Sequence, residues 1–157
     1  MKVDIVGFIR NIYFYTITFV IIGIGVYAII PASYYYRFEN LPLPVDKDTY
    51  STCEPIIRTF IRNSRIDTNG SLSLELVSVK DGSAIASRSV PDFQISKGYD
   101  ANSPTFPIPC QLPKNFQPGE EYYIRGVTTF FVHNFVKNYV FETESFIITD
   151  SLELLDK

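Results

Sequence analysis

The sequence predicts a mainly β protein in which an N-terminal transmembrane α-helix precedes an immunoglobulin-like β-sandwich of about seven strands. Three observations predict this class. No charged residue lies between Arg10 and Arg37. Aromatic residues, which favour strands, are abundant, with 11 Tyr and 13 Phe. From residue 49 onward, apolar and polar residues alternate between closely spaced turn signals. A small barrel is the alternative architecture for such a pattern.

The apolar run at 12–30 is long enough to cross a membrane. Its 19 residues, at about 1.5 Å per residue, make a helix of about 28 Å, close to the thickness of a bilayer's hydrocarbon core. Lys2 and Arg10 precede the run, which predicts a cytoplasmic N-terminus and an exported C-terminal domain. Residues 1–36 are therefore expected to form a cytoplasmic arm and a signal-anchor helix. A cleaved signal peptide is the alternative.

Tyrosines flank the apolar run at both ends. Amphipathic rings favour the headgroup layer of a bilayer, so these tyrosines are expected at the membrane interface. The lipid bilayer is thus the first predicted partner. The predicted interface residues are Tyr13, Tyr15, Tyr34, Tyr35 and Tyr36.

Prolines follow the predicted membrane segment. Pro42 and Pro44 enforce extended backbone, so residues 37–48 are expected to form a short stalk. The β-sandwich ectodomain is expected over residues 49–149, and residues 150–157 are expected to form a tail.

Period-two alternation predicts the first strands of the ectodomain. In 53–62 the odd positions are mostly apolar and the even positions carry charges, which predicts a half-buried strand. In 71–79 the alternation is cleaner until it changes parity at Val77, which indicates a bulge or a change of sheet. Asp81-Gly82 predicts a hairpin turn, and Asn69-Gly70 predicts the turn before the strand.

The second half of the ectodomain contains one long predicted strand. Pro118-Gly119 predicts a turn, and the strand runs from Glu121 to Val132. A second turn is expected within 133–138 before a closing strand. The prolines between residues 104 and 113 demote the strand predicted there to an edge or an irregular crossing.

Cys53 and Cys110 are the only cysteines, and both fall on the apolar parity of predicted strands. In a domain delivered across a membrane they predict one inter-sheet disulfide. On a chain-entropy estimate, closing such a loop stabilises the fold by about 4 kcal/mol. Two buried free thiols are the alternative.

The sequence contains no motif that identifies a reaction. The signatures of common hydrolases, zinc enzymes and phosphate-binding loops are missing. His133 is the single histidine and is expected to be a surface or structural residue. We therefore expect no catalytic residue, no metal and no cofactor. A net charge of −3, with both signs mixed along the chain, argues against a nucleic-acid partner.

Three arginines form the one charged group for which a binding role is expected. Arg58 and Arg62 share a strand face, and Arg65 follows them. Such a stripe suits an anionic partner, for example a lipid headgroup or a glycan phosphate. The alternative is a set of surface pairs with glutamates on neighbouring strands.

The apolar start, the segment 53–76, and the later segments 118–126 and 139–148 together resemble small membrane-anchored proteins encoded by tailed bacteriophages and prophages. Such proteins place a signal-anchor helix before an immunoglobulin-like periplasmic domain. The resemblance implies a Gram-negative inner membrane and a periplasmic domain, and it assigns no functional residue.

These features predict a membrane-anchored, non-catalytic binding module with a protein partner or self-association. The alternative is a structural or assembly component of a membrane-associated particle, such as a phage virion or an envelope complex. An enzyme is the third and least favoured class.

Overall fold

The structure is a computed structural model that describes residues 5–111, 113 and 116–149. The chain divides into two compact units, Met1–Pro31 and Ala32–Lys157. The tail predicted at 150–157 lies outside the described residues.

The first unit contains α1 (Ile5–Ile29). Its segment Ile9–Ile29 is 21 residues of helix, long and apolar enough to cross a membrane. The hydroxyls of Thr16 and Thr18 donate to carbonyl oxygens four residues earlier, each at 2.9 Å. These polar groups are therefore satisfied inside the helix, as an apolar surrounding requires. The predicted N-terminal apolar helix is confirmed.

The second unit consists mainly of strands. A single helical turn, α2 (Ala32–Tyr35), opens it. The strands among the described residues are β1 (Tyr36–Phe38), β2 (Thr49–Ser51), β3 (Pro55–Ile57), β4 (Phe60–Ser64), β5 (Thr68–Ser78), β6 (Ala84–Ile95), β7 (Gly98–Asn102), β8 (Thr105–Pro107), β9 (Glu121–Val132), β10 (Phe135–Glu142) and β11 (Phe146–Thr149).

The larger sheet is organised around β9. Its strand order is β2-β11-β9-β5-β6, and β10 pairs with β9 on the same side as β11. All its pairings are antiparallel except that of β2 with β11. Two tight turns define its hairpins: Gly82 has φ 70° between β5 and β6, and His133 and Asn134 have φ 47° and 69° between β9 and β10. Such left-handed turn residues match the twist of the paired strands.

A smaller sheet faces the larger one. It has the order β1-β4-β7, and a separate two-stranded sheet pairs β3 with β8. The ring centroid of Tyr36 on β1 lies 5.7 Å from that of Phe130 on β9, and Phe38 lies 4.7 Å from Phe141 on β10. Because aromatic side chains from both sheets meet between them, the arrangement is a β-sandwich, and the predicted mainly β class is confirmed.

The boundary predicted between a stalk and the domain is wrong. Residues 37–48 are part of the β unit, and Leu43 is fully buried. The backbone N–H of Leu43 donates to the carbonyl of Glu142, and the N–H of Glu144 donates to the carbonyl of Leu43, both at 2.9 Å. The prolines suggested a stalk because they enforce extended backbone. An extended chain can nevertheless lie against a domain and bury the apolar residues between its prolines.

The number of strands predicted from the alternation of apolar and polar residues is too low. Eleven strands lie in the described residues instead of about seven, because several have only three residues and escape a period-two test. The closing strand predicted after residue 138 is split into β10 and β11. The parity change at Val77 is confirmed as a register shift after Leu76. Asn69 and Gly70 lie inside β5 and do not form the predicted turn.

Two glycines of the larger sheet are required by close contacts. A Cβ added at Gly70 would collide with the carbonyl oxygen of Thr129 on the neighbouring strand. A Cβ added at Gly126 would collide with the ring of Phe141, which is cross-strand from it. The ring of Phe141 therefore packs over Gly126, where β9 has no side chain, as aromatic residues do beside glycines in designed sheets.

Gly126→Ala is expected to lower the free energy of unfolding of the β unit by about 1–3 kcal/mol, because the added methyl group displaces a buried ring. In a Phe141→Ala background the same substitution is expected to be much less harmful, since the obstructing ring is gone. Urea unfolding of the full-length protein in detergent, followed by the near-ultraviolet circular dichroism of its tyrosines, measures both. Equal losses in the two backgrounds would contradict the contact.

Candidate functional site

The face of the chain that carries Arg58 and Arg62 points into the domain. Arg58 is 3% exposed and Arg62 is 6% exposed, whereas Ile57 and Ile61 on the opposite parity are exposed. The prediction of one half-buried strand here is wrong in two ways: the segment forms two strands, β3 and β4, in different sheets, and its even positions, not its odd ones, are buried. The odd positions of this segment carry no charge, whereas the even positions mix Arg58 and Arg62 with the apolar residues Ile56 and Phe60, so the charge pattern favoured the wrong face. Phe60 orients the segment by packing against Phe38, with ring centroids 4.9 Å apart.

The two arginines line a cavity of about 80 Å³ between the sheets. Most of its wall is aromatic or aliphatic. The buried part of the wall comes from the smaller sheet, from β10 and from Arg58, which lies between β3 and β4. Residues of β5 and β6 and Pro104 are only half-buried and form its rim. Besides the arginines, the lining residues are Tyr36, Phe38, Phe60, Leu72, Phe93, Pro104 and Phe141.

Arg62 has a carboxylate partner. Its Nη2 atom lies 2.6 Å from Oδ2 of Asp100, which is directly opposite it in the pairing of β4 with β7. Its guanidinium carbon lies 5.7 Å from the ring centroid of Phe93. Charge-assisted hydrogen bonding and a nearby aromatic face both stabilise a buried guanidinium. The charge of Arg62 is thus largely compensated.

Arg58 has no such partner. Its backbone N–H donates to the carbonyl of Pro104 at 3.2 Å. Its side-chain Nε is enclosed, however, and has no hydrogen-bond partner among the described residues. The ion pairs found in the described part of the chain do not include it. Burial, reinforced by the positive charge of Arg88, lowers the pKa of Arg58 to about 10. Arg58 consequently remains charged at neutral pH, with no counterion among the residues that the structure describes.

A third arginine, Arg88, acts on the charge of Arg58 without lining the cavity. Arg88 lies opposite Leu74 in the pairing of β6 with β5, and Leu74 is buried, so both occupy the inner face of the sheet. Arg88 is nevertheless exposed because β6 is the edge strand. The register with β5 shifts between Gly70 and Leu72, where Asp92 on β6 has φ 52°. This β-bulge turns Phe93 towards the cavity.

The charge of the cavity does not change near neutral pH. Burial raises the pKa of Tyr36 to about 12, against the opposing effect of neighbouring Arg62. The pKa of Arg58 also lies well above neutrality. The cavity therefore presents two guanidinium groups and one neutral phenol throughout the range in which cells operate.

The third predicted arginine lies elsewhere. Arg65 is exposed, and its guanidinium carbon lies 4.2 Å from the ring centroid of Tyr34. The predicted stripe of three arginines is therefore wrong: two line an interior cavity and the third stacks on a surface ring. A strand of period two cannot keep all three on one face, because residue 65 has the opposite parity to residues 58 and 62.

The predicted interface tyrosines also separate into two groups. Tyr13 and Tyr15 are exposed on α1, and Tyr34 is exposed at the start of the β unit. Tyr35 and Tyr36 are buried in the β unit, with Tyr36 only 1% exposed. The prediction is wrong for these two residues, because their rings are enclosed by the protein core instead of a headgroup layer.

The predicted disulfide between Cys53 and Cys110 is confirmed, with Cα atoms 4.4 Å apart. The expectation that it joins two sheets is wrong, because both cysteines lie outside the strands, next to β3 and β8 of one two-stranded sheet. The disulfide ties the segment before β3 to the segment after β8. The same two strands pair with each other, and Arg58 follows one while Pro104 precedes the other. The disulfide therefore helps to fix one wall of the cavity.

Sequence reasoning missed Asp100, Arg88 and Phe93. These residues come from β7 and β6, far from Arg58 in sequence. The pairing of strands brings Asp100 to Arg62 and Arg88 near Arg58, and the bulge at Asp92 brings Phe93 to the cavity. The alternation of apolar and polar residues along a strand predicts neither its pairing partner nor the position of this bulge.

No protein-family model and no curated protein matches this chain. The solved structures with limited similarity to it include the following three. The sporulation control protein Spo0M from Bacillus subtilis is 19% identical with a TM-score of 0.45, over 73% of this chain and 49% of that one. The alkylpurine DNA glycosylase AlkC from Pseudomonas fluorescens, bound to DNA containing an abasic site analogue, is 14% identical with a TM-score of 0.43, over 70% of this chain and 30% of that one.

The third structure is a ceramidase complexed with C2, 14% identical with a TM-score of 0.41, over 73% of this chain and 19% of that one. The chain thus spans less than half the length of each of the three proteins. These similarities assign neither an activity nor a partner to this chain.

Arg58→Met is expected to raise the free energy of unfolding of the β unit by about 1–3 kcal/mol, because it replaces an uncompensated buried charge with an apolar side chain of similar length. Arg65→Met makes the same chemical change at an exposed position. It is expected to lower the free energy of unfolding by up to about 1 kcal/mol through loss of the contact with Tyr34. Urea unfolding in a buffer without organic acids measures both variants. A loss of stability in Arg58→Met would contradict the absence of a counterion.

Proposed function

We propose that this chain is a membrane-anchored, non-catalytic binding protein, with α1 in the bilayer and the β-sandwich on the periplasmic or extracytoplasmic side. The observation that carries the proposal is the helix Ile9–Ile29, none of which is buried by protein. An apolar surface of that extent is stable only when lipid or another protein covers it. A bilayer provides such cover along the whole helix.

Two further features support the orientation. Lys2 and Arg10 precede the membrane segment, as positive residues do on the cytoplasmic side. The disulfide between Cys53 and Cys110 suits an oxidising compartment, where such bonds persist. Both features support a β-sandwich outside the cytoplasm.

The binding role is supported by the chemistry of the cavity. Its lining consists of arginines, aromatic rings and aliphatic residues, which hold a ligand by charge and burial. Among the described residues, no group of three or more His, Cys, Asp and Glu side chains could hold a metal ion. We further propose that the chain is one of the phage- or prophage-encoded proteins of a Gram-negative inner membrane, on the basis of the layout of anchor and sandwich.

The proposed topology predicts that carbonate washing leaves the protein in the membrane fraction. It also predicts that protease added outside spheroplasts digests the β-sandwich. Without a reductant, maleimide should not label Cys53 or Cys110, and with a reductant it should label both. A matched variant, Lys2→Glu with Arg10→Glu, is expected to show more protease-protected domain, because the positive charges that hold the N-terminus inside are reversed. Release by carbonate, or full protection of the unaltered domain, would contradict the proposal.

A second candidate is a structural or assembly component of a membrane-associated particle, such as a phage virion or envelope complex. One observation favours it. Phe131 and Val136 are cross-strand neighbours on the hairpin of β9 and β10, and both are more than half exposed, as is Val140. An exposed apolar strip on a sheet is a typical site of association between proteins.

Light scattering of the full-length protein in detergent discriminates between the two candidates. An assembly component is expected to form oligomers at micromolar concentration, and Val136→Lys with Val140→Lys is expected to return it to a monomer. Val79→Lys, at an exposed position outside the strip, is the matched control and should leave the size unchanged. A monomeric unaltered protein would eliminate the second candidate.

A further inference from the structure

We propose that the cavity between the sheets binds a small organic monocarboxylate, with the carboxylate on the guanidinium of Arg58 and the hydrocarbon part among the aromatic rings. The proposal rests on the proposed function only in treating the β-sandwich as a binding domain. It is independent of the direction in which the anchor crosses a membrane.

The position of Arg58 requires an anion. A buried charge without a counterion destabilises a fold, and proteins usually pair such charges or lose them. In the described part of the chain, Arg58 has an enclosed, unpartnered Nε and a second arginine, Arg88, as its charged neighbour. Asp100, the carboxylate that contacts Arg62, does not line the cavity and is already bonded to Arg62 at 2.6 Å. One added negative charge would compensate Arg58.

The shape of the guanidinium favours a carboxylate. Its planar fork presents parallel N–H groups that match the two oxygens of a carboxylate. A phosphate or sulfate would also present oxygens to the surrounding rings of Phe38, Phe60 and Phe141, which offer no hydrogen-bond donor. Buried oxygens without donors are unfavourable, so the aromatic wall selects against these ions.

The remainder of the cavity favours a hydrocarbon group. About 80 Å³ is room for several water-sized groups. Water in such an apolar space has few partners and is readily displaced by a ligand carbon. The half-buried Leu72, Phe93 and Pro104 leave an opening at the rim, through which a longer chain could extend. The carboxylate could therefore belong to a water-soluble organic acid or to a fatty acid from the bilayer.

The full-length protein in nanodiscs of a zwitterionic lipid, with chloride as the only buffer anion, tests the proposal by calorimetric titration at neutral pH. The probes are butanoate and benzoate for soluble acids and decanoate for the fatty acid. Benzamide is the neutral counterpart of benzoate, and inorganic phosphate is the competing anion. At least one carboxylate is expected to bind at one site per chain, at least tenfold more tightly than benzamide or phosphate. Tighter binding of decanoate than of butanoate would identify a lipid source, and the reverse order a soluble one.

Variants connect binding to the cavity. Arg58→Met is expected to weaken the bound carboxylate at least tenfold, and Arg65→Met is expected to leave its affinity unchanged. Arg58→Lys keeps the charge without the fork and should give an intermediate affinity, which provides a second measurement if Arg58→Met does not fold. No binding by any carboxylate, equal binding of benzamide or phosphate, or unchanged affinity in a folded Arg58 variant would overturn the proposal. Each of these results would overturn carboxylate binding without contradicting the proposed topology. Conversely, carbonate or protease results that contradict the topology would not change what the titration shows about the cavity.

Discussion

The contact between β1 and the inner face of the larger sheet holds the β unit together. Tyr36 and Phe38 on this short strand reach across the sandwich to Phe130, Tyr139 and Phe141. The backbone N–H of Phe38 also donates to the hydroxyl of Tyr139 at 3.2 Å. Because β1 pairs with β4, this contact draws β4 against the core and turns Arg62 inward, and Arg58, two residues before β4, lies on the same buried parity. The cavity is thus a direct result of how the first strand packs.

The buried charge of Arg58 lowers the stability of the fold, whereas the same charge suits the binding of an anion. A methionine or leucine at this position would fill the same space without a desolvated charge. Residues at functional positions commonly lower the stability of a protein, and favourable contacts elsewhere offset that loss. Here the aromatic cluster and the disulfide are the contacts that keep the wall of the cavity in place. An uncompensated arginine inside an aromatic core is therefore more informative about function than any exposed charge of this chain.

Features encoded by neighbouring residues could be predicted from the sequence, and features created by packing could not. The bounds of β9, the hairpin at Gly82 and the bulge after Leu76 follow from local turn chemistry and alternation. The disulfide follows from cysteine count and an assumed compartment. The burial of Leu43 and the inward direction of Arg58 depend on strands remote in sequence. No local period contains that information, and charge alone suggested the opposite face.

The parallel pair of β2 and β11 has a consequence for biogenesis. Tyr50 on β2 pairs with Ile148 on β11, so β2, the first strand of the larger sheet, can pair only after β11, the last described strand, has been synthesised. A chain that enters a membrane from its N-terminus delivers these partners far apart in time. Until β11 arrives, β2 lacks its neighbour in the sheet. Unpaired strand edges promote aggregation, and contacts remote in sequence form slowly. In the proposed topology, the domain therefore most needs protection during its passage across the membrane, before β11 is available to pair with β2.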